Sequence, residues 1–295
     1  MRIVSLLPSA TDIIAELGLL DSLVGVSDDC NWPPEVAEKP LVARTRIDVS
    51  GLTSAQIDEL VNTSASDGHS LYAIDAELLD ALKPDLVITQ DLCAVCAVSS
   101  DDLSTACPIG VEVWSMNPRR FEDVVQSVIA LAERLGVRDR GVKVADEMRA
   151  KVKAVRQAVA GRDRPRVFIA EWMDPPYGSG HWLPEMVEAA GGLNVLSSPG
   201  EYSFETTWEA VLAEEPEMII LAACGFNLDQ AMQRTRDLRL PVRTIVVDGD
   251  AQFSRPGPRI ADGVRQLAFL IHPESAEDPG LPYSELPRAE YLATS

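Results

Sequence analysis

Short apolar segments rich in β-branched residues alternate with helical patterns along the chain. Helical patterns cover, for example, Thr11 to Leu17, Ala76 to Leu82 and Trp208 to Ala213. Strands that alternate with helices are typical of parallel sheets, so the pattern predicts an α/β fold. The strand-like segments are "RIVSLL", "LVGVS", "DLVIT", "VEVWSM", "RVFIAEW", "MIILAA" and "TIVVDG".

The second half of the chain repeats the order of elements found in the first half. "RIVSLLPSATDIIAELGLLDSLVGVS" predicts a strand, a Pro-containing turn, a helix, a glycine and a strand, and "RVFIAEWMDPPYGSGHWLPEMVEAAGGLNVLSS" repeats that order. In a second echo, Glu77 lies seven residues before Pro84 as Glu209 lies seven before Pro216. Two echoes in the same order predict two similar lobes.

One long helix is predicted between the two halves. It would run from Arg138 to about Ala160 and extend roughly 35 Å at 1.5 Å per residue, with Gly161 near its end. This length is sufficient to join two domains, although an ordinary helix packed inside one domain is the alternative. Its apolar stripe, at spacings of three and four, consists of Val144, Met148, Val152, Val155 and Val159.

These patterns predict the domain organisation. We expect an N-terminal α/β lobe over residues 1–118, a helical segment over 119–161 that includes the long helix, and a C-terminal α/β lobe over 162–272. The Pro- and acid-rich residues 273–295 are expected to form an irregular surface tail.

Composition limits the classes of partner. The 295 residues are 46% apolar, which is sufficient for a large core, and 46 acidic against 26 basic residues give a net charge of -20. This charge repels phosphates, so we expect no nucleic-acid partner. No apolar run approaches the roughly 18 residues of a membrane span, and direct membrane insertion is not expected. Met1-Arg2 leads directly into the first strand, which predicts a cytoplasmic protein, or an extracytoplasmic one if the true start lies upstream.

Several motifs, in order, resemble one known family over nearly all of residues 2–272. The chain resembles the class III substrate-binding proteins of ABC importers, and among them the vitamin B12 (cobalamin) binders. The resemblance implies two α/β lobes with parallel-rich sheets joined by a single long helix, and a corrinoid bound in the cleft between them. It also implies a monomer without a cofactor of its own that works with ABC permease subunits, and the alternative role is an intracellular corrinoid carrier derived from such a receptor. The motifs are "RIVSLLPSATDIIAELG", "VGVSDDCNWPPE", "LKPDLVIT", "DPPYGSGHWLPEMVEAAGG" and "DGDAQFSRPGPRIADGVRQLAFLIHPE".

Ligand-binding residues are expected in the loops that follow the strands. Ligands collect beyond the carboxyl ends of the strands in open parallel sheets, and a corrin needs apolar faces and amide partners. Tyr177 and Phe253 fall where the family places cleft-facing aromatics, with core packing as the alternative for every aromatic candidate. The candidates are Pro8, Ser9, Tyr72, Gln90, Cys93, Trp172, Tyr177, Trp182, Phe204, Phe253 and Arg255.

The first lobe departs from the cobalamin binders of the family. Places where these often carry aromatics hold Asp29, Thr45 and Gln90 here. An extra segment, residues 45–75, could compensate, because Tyr72 would restore an aromatic wall and His69 would offer an imidazole to a metal centre. A lone histidine in a Gly/Ser-rich loop is, however, usually only exposed.

Two carboxylates match a docking pattern. In the family, one acid on each lobe docks to arginines of the importer subunits, and Glu77 and Glu209 match those positions. The alternative is that the two carboxylates only stabilise their own helices, since the helix dipole favours acids early in a helix.

Cys93 and Cys96 are three residues apart after a strand. Zinc takes four ligands, and neither Cys107 nor His69 has the paired spacing of zinc ribbons or fingers. The segment also lacks the features of a thioredoxin-type pair. We expect this loop to line the pocket, with metal ligation and simple packing as alternatives, and we expect no metal site.

Two other functions compete with corrinoid binding. Ser179 and His181 are close in sequence, but no G-x-S-x-G frame is present, so we expect no enzyme. Haem or a ferric siderophore is the main alternative ligand, because Arg46 or Arg255 at the edge of an aromatic cleft would suit an anionic chelate. Bare metal is disfavoured, since the chain has three histidines.

Overall fold

The computed structural model describes residues 1–66, 70–91, 97–103 and 106–289, with the side chains of residues 65 and 66 excepted. The chain divides into two compact units. Unit 1 consists of Met1–Leu52, Gln56–Pro118 and Val124–Asp146, and unit 2 consists of Thr53–Ala55, Arg119–Asp123 and the chain from Glu147 onward. Each unit has its own sheet.

The sheet of unit 1 has six strands. They are ordered β4-β3-β2-β1-β5-β6, and all neighbours are parallel except β3 and β4. The central strands β1 and β5 are buried along their whole length, which explains why they read as continuous apolar runs. The elements up to the long helix are β1 (Ile3–Ser5), α1 (Pro8–Glu16), β2 (Leu23–Ser27), β3 (Leu41–Thr45), α2 (Ser54–Ser66), β4 (Tyr72–Ile74), α3 (Ala76–Leu82), β5 (Leu86–Thr89), α4 (Ser100–Leu103), β6 (Glu112–Ser115), α5 (Phe121–Arg134) and α6 (Arg138–Ala158).

The sheet of unit 2 has seven strands. The order is β10-β8-β7-β11-β12-β13, and β9 also pairs with β7. Strands β7, β9, β11 and β12 are parallel to their neighbours within this group, whereas β8, β10 and β13 are added antiparallel. The elements are β7 (Arg166–Met173), β8 (Pro176–Gly178), α7 (Leu183–Ala189), β9 (Leu193–Asn194), β10 (Phe204–Glu205), α8 (Trp208–Ala213), β11 (Met218–Leu221), α9 (Leu228–Arg234), β12 (Arg243–Val247), a π-helix (Asp250–Ser254), α10 (Ile260–Ile271) and β13 (Tyr283–Glu285).

The internal repeat is confirmed at its second echo. Helices α3 and α8 each lead through a tight turn into a central parallel strand, β5 or β11. The residue before each proline is left-handed in both copies, with φ 45° at Lys83 and 48° at Glu215. The first echo is also recognisable, because β1 pairs with β2 as β7 pairs with β9, but unit 2 inserts the hairpin strand β8.

The predicted long helix is confirmed as α6, which ends at Ala158 and is about 31 Å long. Gly161, with φ 76°, follows its end. Its stripe residues Met148, Val152 and Val155 are buried. The division between the units falls inside this helix, after Asp146.

The expectation of an irregular tail is wrong for part of residues 273–295. Tyr283–Glu285 add a strand to β12, and the following Leu286 is buried. The amide nitrogen of Gln266 on α10 donates to the carbonyl oxygens of Leu281 and Pro282. Over the described residues, none of the helices is both long and apolar enough to pass through a bilayer.

Candidate functional site

The carboxyl edge of unit 1, meaning the residues that follow β1, β2, β5 and β6, is lined by small polar side chains. Helix α1 begins at Pro8, whose missing N–H suits the first helical position. Ser9 is 1% exposed, and its hydroxyl has no hydrogen-bond partner in the described part of the chain. Thr11 Oγ1 lies 2.9 Å from Ser5 Oγ and 3.1 Å from Cys30 Sγ, within hydrogen-bond distance of both. Both Pro8 and Ser9 therefore lie at the predicted edge.

The loop after β5 begins with Gln90, which is buried. The next residue, Asp91, accepts hydrogen bonds from Ser115 Oγ at 2.6 Å and from the Ser100 N–H at 2.8 Å. Burial alone would raise the pKa of Asp91, but these hydrogen bonds outweigh it and the pKa is lowered. Asp91 thus ties together the ends of β5 and β6 and the start of α4.

Three candidate residues lie outside the described residues. They are Cys93, Cys96 and His69. Their predicted roles, pocket lining for the two cysteines and an imidazole ligand for His69, stay predictions.

Tyr72 does not form the predicted aromatic wall. It pairs with Thr45 across β3 and β4, and its side chain is buried in an apolar cluster with Leu71, Leu79 and Val98. Antiparallel pairing of β4 turns this ring into the core of unit 1, so the core-packing alternative holds for Tyr72. Arg46 donates from Nε to the carbonyl oxygen of Tyr72 at 3.0 Å.

The carboxyl edge of unit 2, meaning the ends of β7, β11 and β12 and the residues that follow them, is aromatic. Trp172 on β7 lies directly opposite Tyr177 on β8, so the two half-buried rings share one face of the sheet. The ring of Phe226, after β11, lies 5.1 Å from that of Trp172 between centroids. Trp172 Nε1 also donates to the carbonyl oxygen of Ser54 at 3.2 Å. We call Trp172, Tyr177 and Phe226 the aromatic set.

Phe226 is an aromatic of this edge that the sequence analysis missed, although it is 5% exposed and the Arg234 guanidinium lies 4.3 Å from its ring centroid. Its segment, "AACGFN", carries no aromatic periodicity, and Phe226 is the fifth residue beyond the end of β11 at Leu221. The available signal was positional, because the post-strand loop of β11 lies between those of β7 and β12 in the sheet.

Phe204 is half-buried against a glycine. It pairs with Gly178, and a Cβ built on that glycine would lie 2.5 Å from Phe204 Cζ. The ring therefore lies across the backbone of β8, on the strand that carries Tyr177.

Trp182 and Phe253 are interior residues, contrary to the expectation of groove-facing rings. Phe253 is fully buried, and its carbonyl oxygen accepts a hydrogen bond from Trp182 Nε1 at 2.8 Å. Trp182 itself is 5% exposed. A buried indole needs a partner for its N–H, and the carbonyl at the π-helix provides it.

Arg255 is already paired. It is 4% exposed, and its guanidinium donates from Nε and NH2 to the two carboxylate oxygens of Asp250, at 3.0 and 2.6 Å. Nearby, burial raises the pKa of Asp248, although the Ala251 N–H donates to it. Because its charge is matched within the loop, Arg255 is poorly suited to the predicted contact with an anionic chelate.

His181 occupies an unusual position beside α7. Its φ is 53°, it is 8% exposed, and its Nε2 has no hydrogen-bond partner among the residues the structure describes. The imidazole and the ring of Tyr202 meet edge-on, with their centroids 5.5 Å apart. The guanidinium carbon of Arg119 lies 4.4 Å from the centroid of the Tyr202 ring. Burial first, and the Arg119 charge second, lower the pKa of His181. Ser179 Oγ lies 3.2 Å from Ser197 Oγ, and it makes no hydrogen bond to His181 Nε2, which lacks a partner among the described residues.

Glu77 and Glu209 occupy the same place in the two units. Each is the second residue of its helix, α3 or α8, and each is exposed. The caps before them also correspond, because Asp75 accepts from the Leu78 N–H and Thr207 from the Ala210 N–H. Over residues 1–66, 70–91, 97–103 and 106–289, no group of three or more His, Cys, Asp or Glu could hold a metal ion.

Comparison with known proteins identifies the family. Residues 3–239 match the family described as periplasmic binding protein. The chain belongs to that family. A vitamin B12-binding protein of Vibrio cholerae serotype O1 is 24% identical over 275 residues, which cover 92% of this chain and 88% of the relative. The uncharacterized ABC transporter substrate-binding lipoprotein YvrC of Bacillus subtilis is 24% identical over 292 residues, covering 94% and 82%.

A solved structure supports the fold of this periplasmic binding protein. The periplasmic haem-binding protein from Pseudomonas aeruginosa has a TM-score of 0.71 at 19% identity, over 98% of this chain and 99% of that chain. This likeness confirms the predicted α/β fold of class III periplasmic binding proteins. The names of these relatives include two different ligands, vitamin B12 and haem. The comparisons therefore identify the family and leave the ligand of this chain open.

Proposed function

We propose that this chain is the substrate-binding component of an ABC importer and that it holds a corrinoid of the cobalamin type without chemical change. The observation that carries the ligand class is the aromatic set at the carboxyl edge of unit 2. Trp172 and Tyr177, backed by the buried ring of Phe226, offer apolar faces where open parallel sheets bind ligands. The names of the Vibrio and Bacillus relatives support the importer role and the corrinoid.

The pairing of Arg255 favours a neutral rim on the ligand, while the guanidinium of Arg234, which lies over the Phe226 ring, also belongs to this edge. The buried guanidinium of Arg255 is matched by Asp250, 2.6 Å away. A haem or a ferric siderophore presents carboxylates or a net negative charge, which an unmatched arginine would bind best. The rim of a corrinoid is made of uncharged carboxamides, which need hydrogen bonds and no counter-charge.

Titration of the ligand-free protein tests this proposal. We expect cyanocobalamin to bind with a perturbed visible spectrum and to be recovered intact, and hemin to bind more weakly. Tight binding of hemin together with no binding of cyanocobalamin would overturn the corrinoid assignment.

Variants of the aromatic set test its role. Trp172→Ala and Tyr177→Ala should each weaken cyanocobalamin binding by about 1 to 4 kcal/mol, as expected for buried aromatic anchors. Trp114→Ala is the matched control, because this half-buried indole belongs to the sheet of unit 1 and packs under Arg134. Equal losses in all three variants would contradict the assignment.

The importer role is tested through Glu77 and Glu209. We propose that these carboxylates dock to basic side chains of permease subunits, as their matching exposed positions suggest. Glu77→Ala and Glu209→Ala should leave ligand affinity unchanged and reduce ligand-dependent transport by the reconstituted importer. Glu59→Ala, at an exposed position of helix α2, is the control and should transport normally.

A further inference from the structure

Strand β10 places a carboxylate in line with two rings of the aromatic set. Glu205 lies directly opposite Tyr177 on β8, and Tyr177 lies directly opposite Trp172 on β7. Residues directly opposite each other in antiparallel strands extend their side chains to the same face of the sheet. Glu205, Tyr177 and Trp172 therefore form one row across three strands, which we call the cross-strand row.

The cross-strand row lies at the carboxyl edge of unit 2. Strand β8 is antiparallel to both β7 and β10, so β7 and β10 run in the same direction and end at the same edge. Trp172 is the penultimate residue of β7, and Glu205 is the last residue of β10. The carboxylate is thus at the end of the sheet where open parallel sheets bind ligands.

The register that puts Glu205 in this row is fixed by its neighbour Phe204. Phe204 lies opposite Gly178, and a Cβ on this glycine would lie 2.5 Å from Phe204 Cζ, so the ring occupies the space of a missing side chain. Successive residues of a strand face opposite sides, so Glu205 extends from the other face. The Thr206 N–H continues the ladder by donating to the carbonyl oxygen of Pro176 at 2.9 Å. A shift of one residue would break both contacts.

Glu205 is exposed, so a ligand can reach it. Tyr177 and Trp172, beside it in the row, are half-buried, and the cross-strand row therefore passes from apolar rings to a charged group at its end. In the part of the chain that the structure describes, the Glu205 carboxylate makes no hydrogen bond or ion pair. The carboxylate of Asp250, at the same edge, is by contrast already paired with Arg255, 2.6 Å away. Of these two carboxylates, Glu205 is the one that a ligand can use.

We propose that Glu205 is a specificity-determining residue of the ligand site: its carboxylate accepts a hydrogen bond from an N–H of a rim carboxamide and repels the carboxylates of a competing ligand. This inference rests on the proposed corrinoid function and deepens it. A flat ligand that lies against Trp172 and Tyr177 presents its rim to β10, the strand beyond β8 in the sheet. Carboxamides supply N–H donors, whereas the ionised propionates of a haem supply acceptors only. The same charge thus attracts one class of rim and excludes the other.

The experiment compares Glu205→Gln with Glu205→Met in the full chain, with cyanocobalamin and hemin as probes. Glutamine keeps an acceptor oxygen and removes the charge, whereas methionine removes both. For cyanocobalamin we expect Glu205→Gln to bind within about threefold of wild type, and Glu205→Met to bind roughly tenfold more weakly, the effect of one lost hydrogen bond. For hemin we expect both variants to bind about threefold more tightly than wild type in low salt, and this gain should shrink at high ionic strength.

Glu201→Gln and Glu201→Met are the matched controls. Glu201 is an exposed glutamate four residues before Glu205, and it precedes β10, outside the cross-strand row. Its variants should bind both probes as wild type does. Because both glutamates are exposed, the thermal midpoint without ligand should change little in all four variants.

Two results would overturn the proposal. One is unchanged affinity of Glu205→Met for both probes, and the other is an equal change of affinity in the Glu201 and Glu205 variants, which would indicate the net charge of the protein rather than a contact. A wild-type protein that binds hemin and no cyanocobalamin would instead refute the proposed function, so the two failures are distinguishable.

Corrinoids with a single altered rim group test the contact directly. In a cyanocobalamin monocarboxylic acid, hydrolysis has turned one rim amide into a carboxylate and left the ring unchanged. The isomer whose carboxylate faces Glu205 should bind wild type roughly tenfold more weakly than cyanocobalamin does, because it loses the donor and gains a like charge. Glu205→Gln should reduce this loss by about threefold, because the repulsion is gone. Equal losses for all isomers, or the same loss in Glu205→Gln as in wild type, would overturn the assignment.

Discussion

The carboxyl edges of the two units differ in chemistry although the frames behind them correspond. In both units a capped helix, a left-handed residue before a proline and a central parallel strand follow one another. The edge of unit 1 is lined by small hydroxyl and thiol side chains such as Ser9, Thr11 and Cys30. The edge of unit 2 carries the aromatic set. The capped helix, the turn and the central strand thus form a frame that both units share, while the residues after the strands are free to diverge.

The largest effect is expected at Phe253 of unit 2. This ring is fully buried, so Phe253→Ala should lower the free energy of unfolding by about 3 to 5 kcal/mol, through lost burial and a cavity. Urea denaturation followed by tryptophan fluorescence measures it. Tyr177→Ala, a half-buried ring of the same edge, is the control and should cost clearly less. A loss below about 1 kcal/mol for Phe253→Ala would contradict its interior position.

The correspondence of the two frames predicts paired effects at the helix caps. Asp75→Ala and Thr207→Ala each remove a side chain that accepts a backbone N–H at the start of its helix. Each should cost about 1 kcal/mol of unfolding free energy, within the usual range of about 0.5 to 2 kcal/mol, and the two costs should be similar. Asp80→Ala, at an exposed position late in α3, is the control and should cost little.

A loss of unfolding free energy at only one of the two caps would contradict the expectation that both helix starts are stabilised in the same way. It would mean that one helix start is held mainly by packing, and that the two units share a path of the chain without sharing its local energetics. Chemical denaturation of the three variants under identical conditions decides between these outcomes.

The frame could be predicted from the sequence because it rests on local rules. The apolar runs of β1, β5, β7 and β11 are buried on both faces, and the three-and-four spacing of α6 fixes its stripe. The equal offset of Glu77 and Glu209 from their prolines reflects a turn that both copies keep.

The site was less predictable because it depends on tertiary packing. Whether an aromatic after a strand points outward or inward is decided by neighbours far along the chain, as with Phe253, which turns inward beside Trp182. One residue more in a helical turn changes which side chain faces which way, and no composition signal marks the π-helix. Strand β13, "YSE", was missed because a short edge strand needs no apolar run.

The remaining prediction concerns His181, for which the repeat offers no counterpart in unit 1. Burial, and then the charge of Arg119, lower the pKa of His181 below the ordinary imidazole value of about 6.5. As the pH falls through that value, the unfolded chain takes up a proton that the folded protein does not. The stability that His181 contributes is therefore complete above about pH 6.5 and is lost progressively below it, with a slope of at most about 1.4 kcal/mol per pH unit.

His181→Asn should remove this dependence. Asparagine tolerates the left-handed backbone at φ 53° better than other replacements, so the variant isolates the titration from backbone strain. We expect the free energy of unfolding to fall less between pH 7.5 and 5.5 in His181→Asn than in wild type, and Arg119→Met to give an intermediate fall, since it removes the second cause only. Identical pH dependence in wild type and His181→Asn would show that the imidazole is protonated equally in the folded and unfolded states, contrary to its burial.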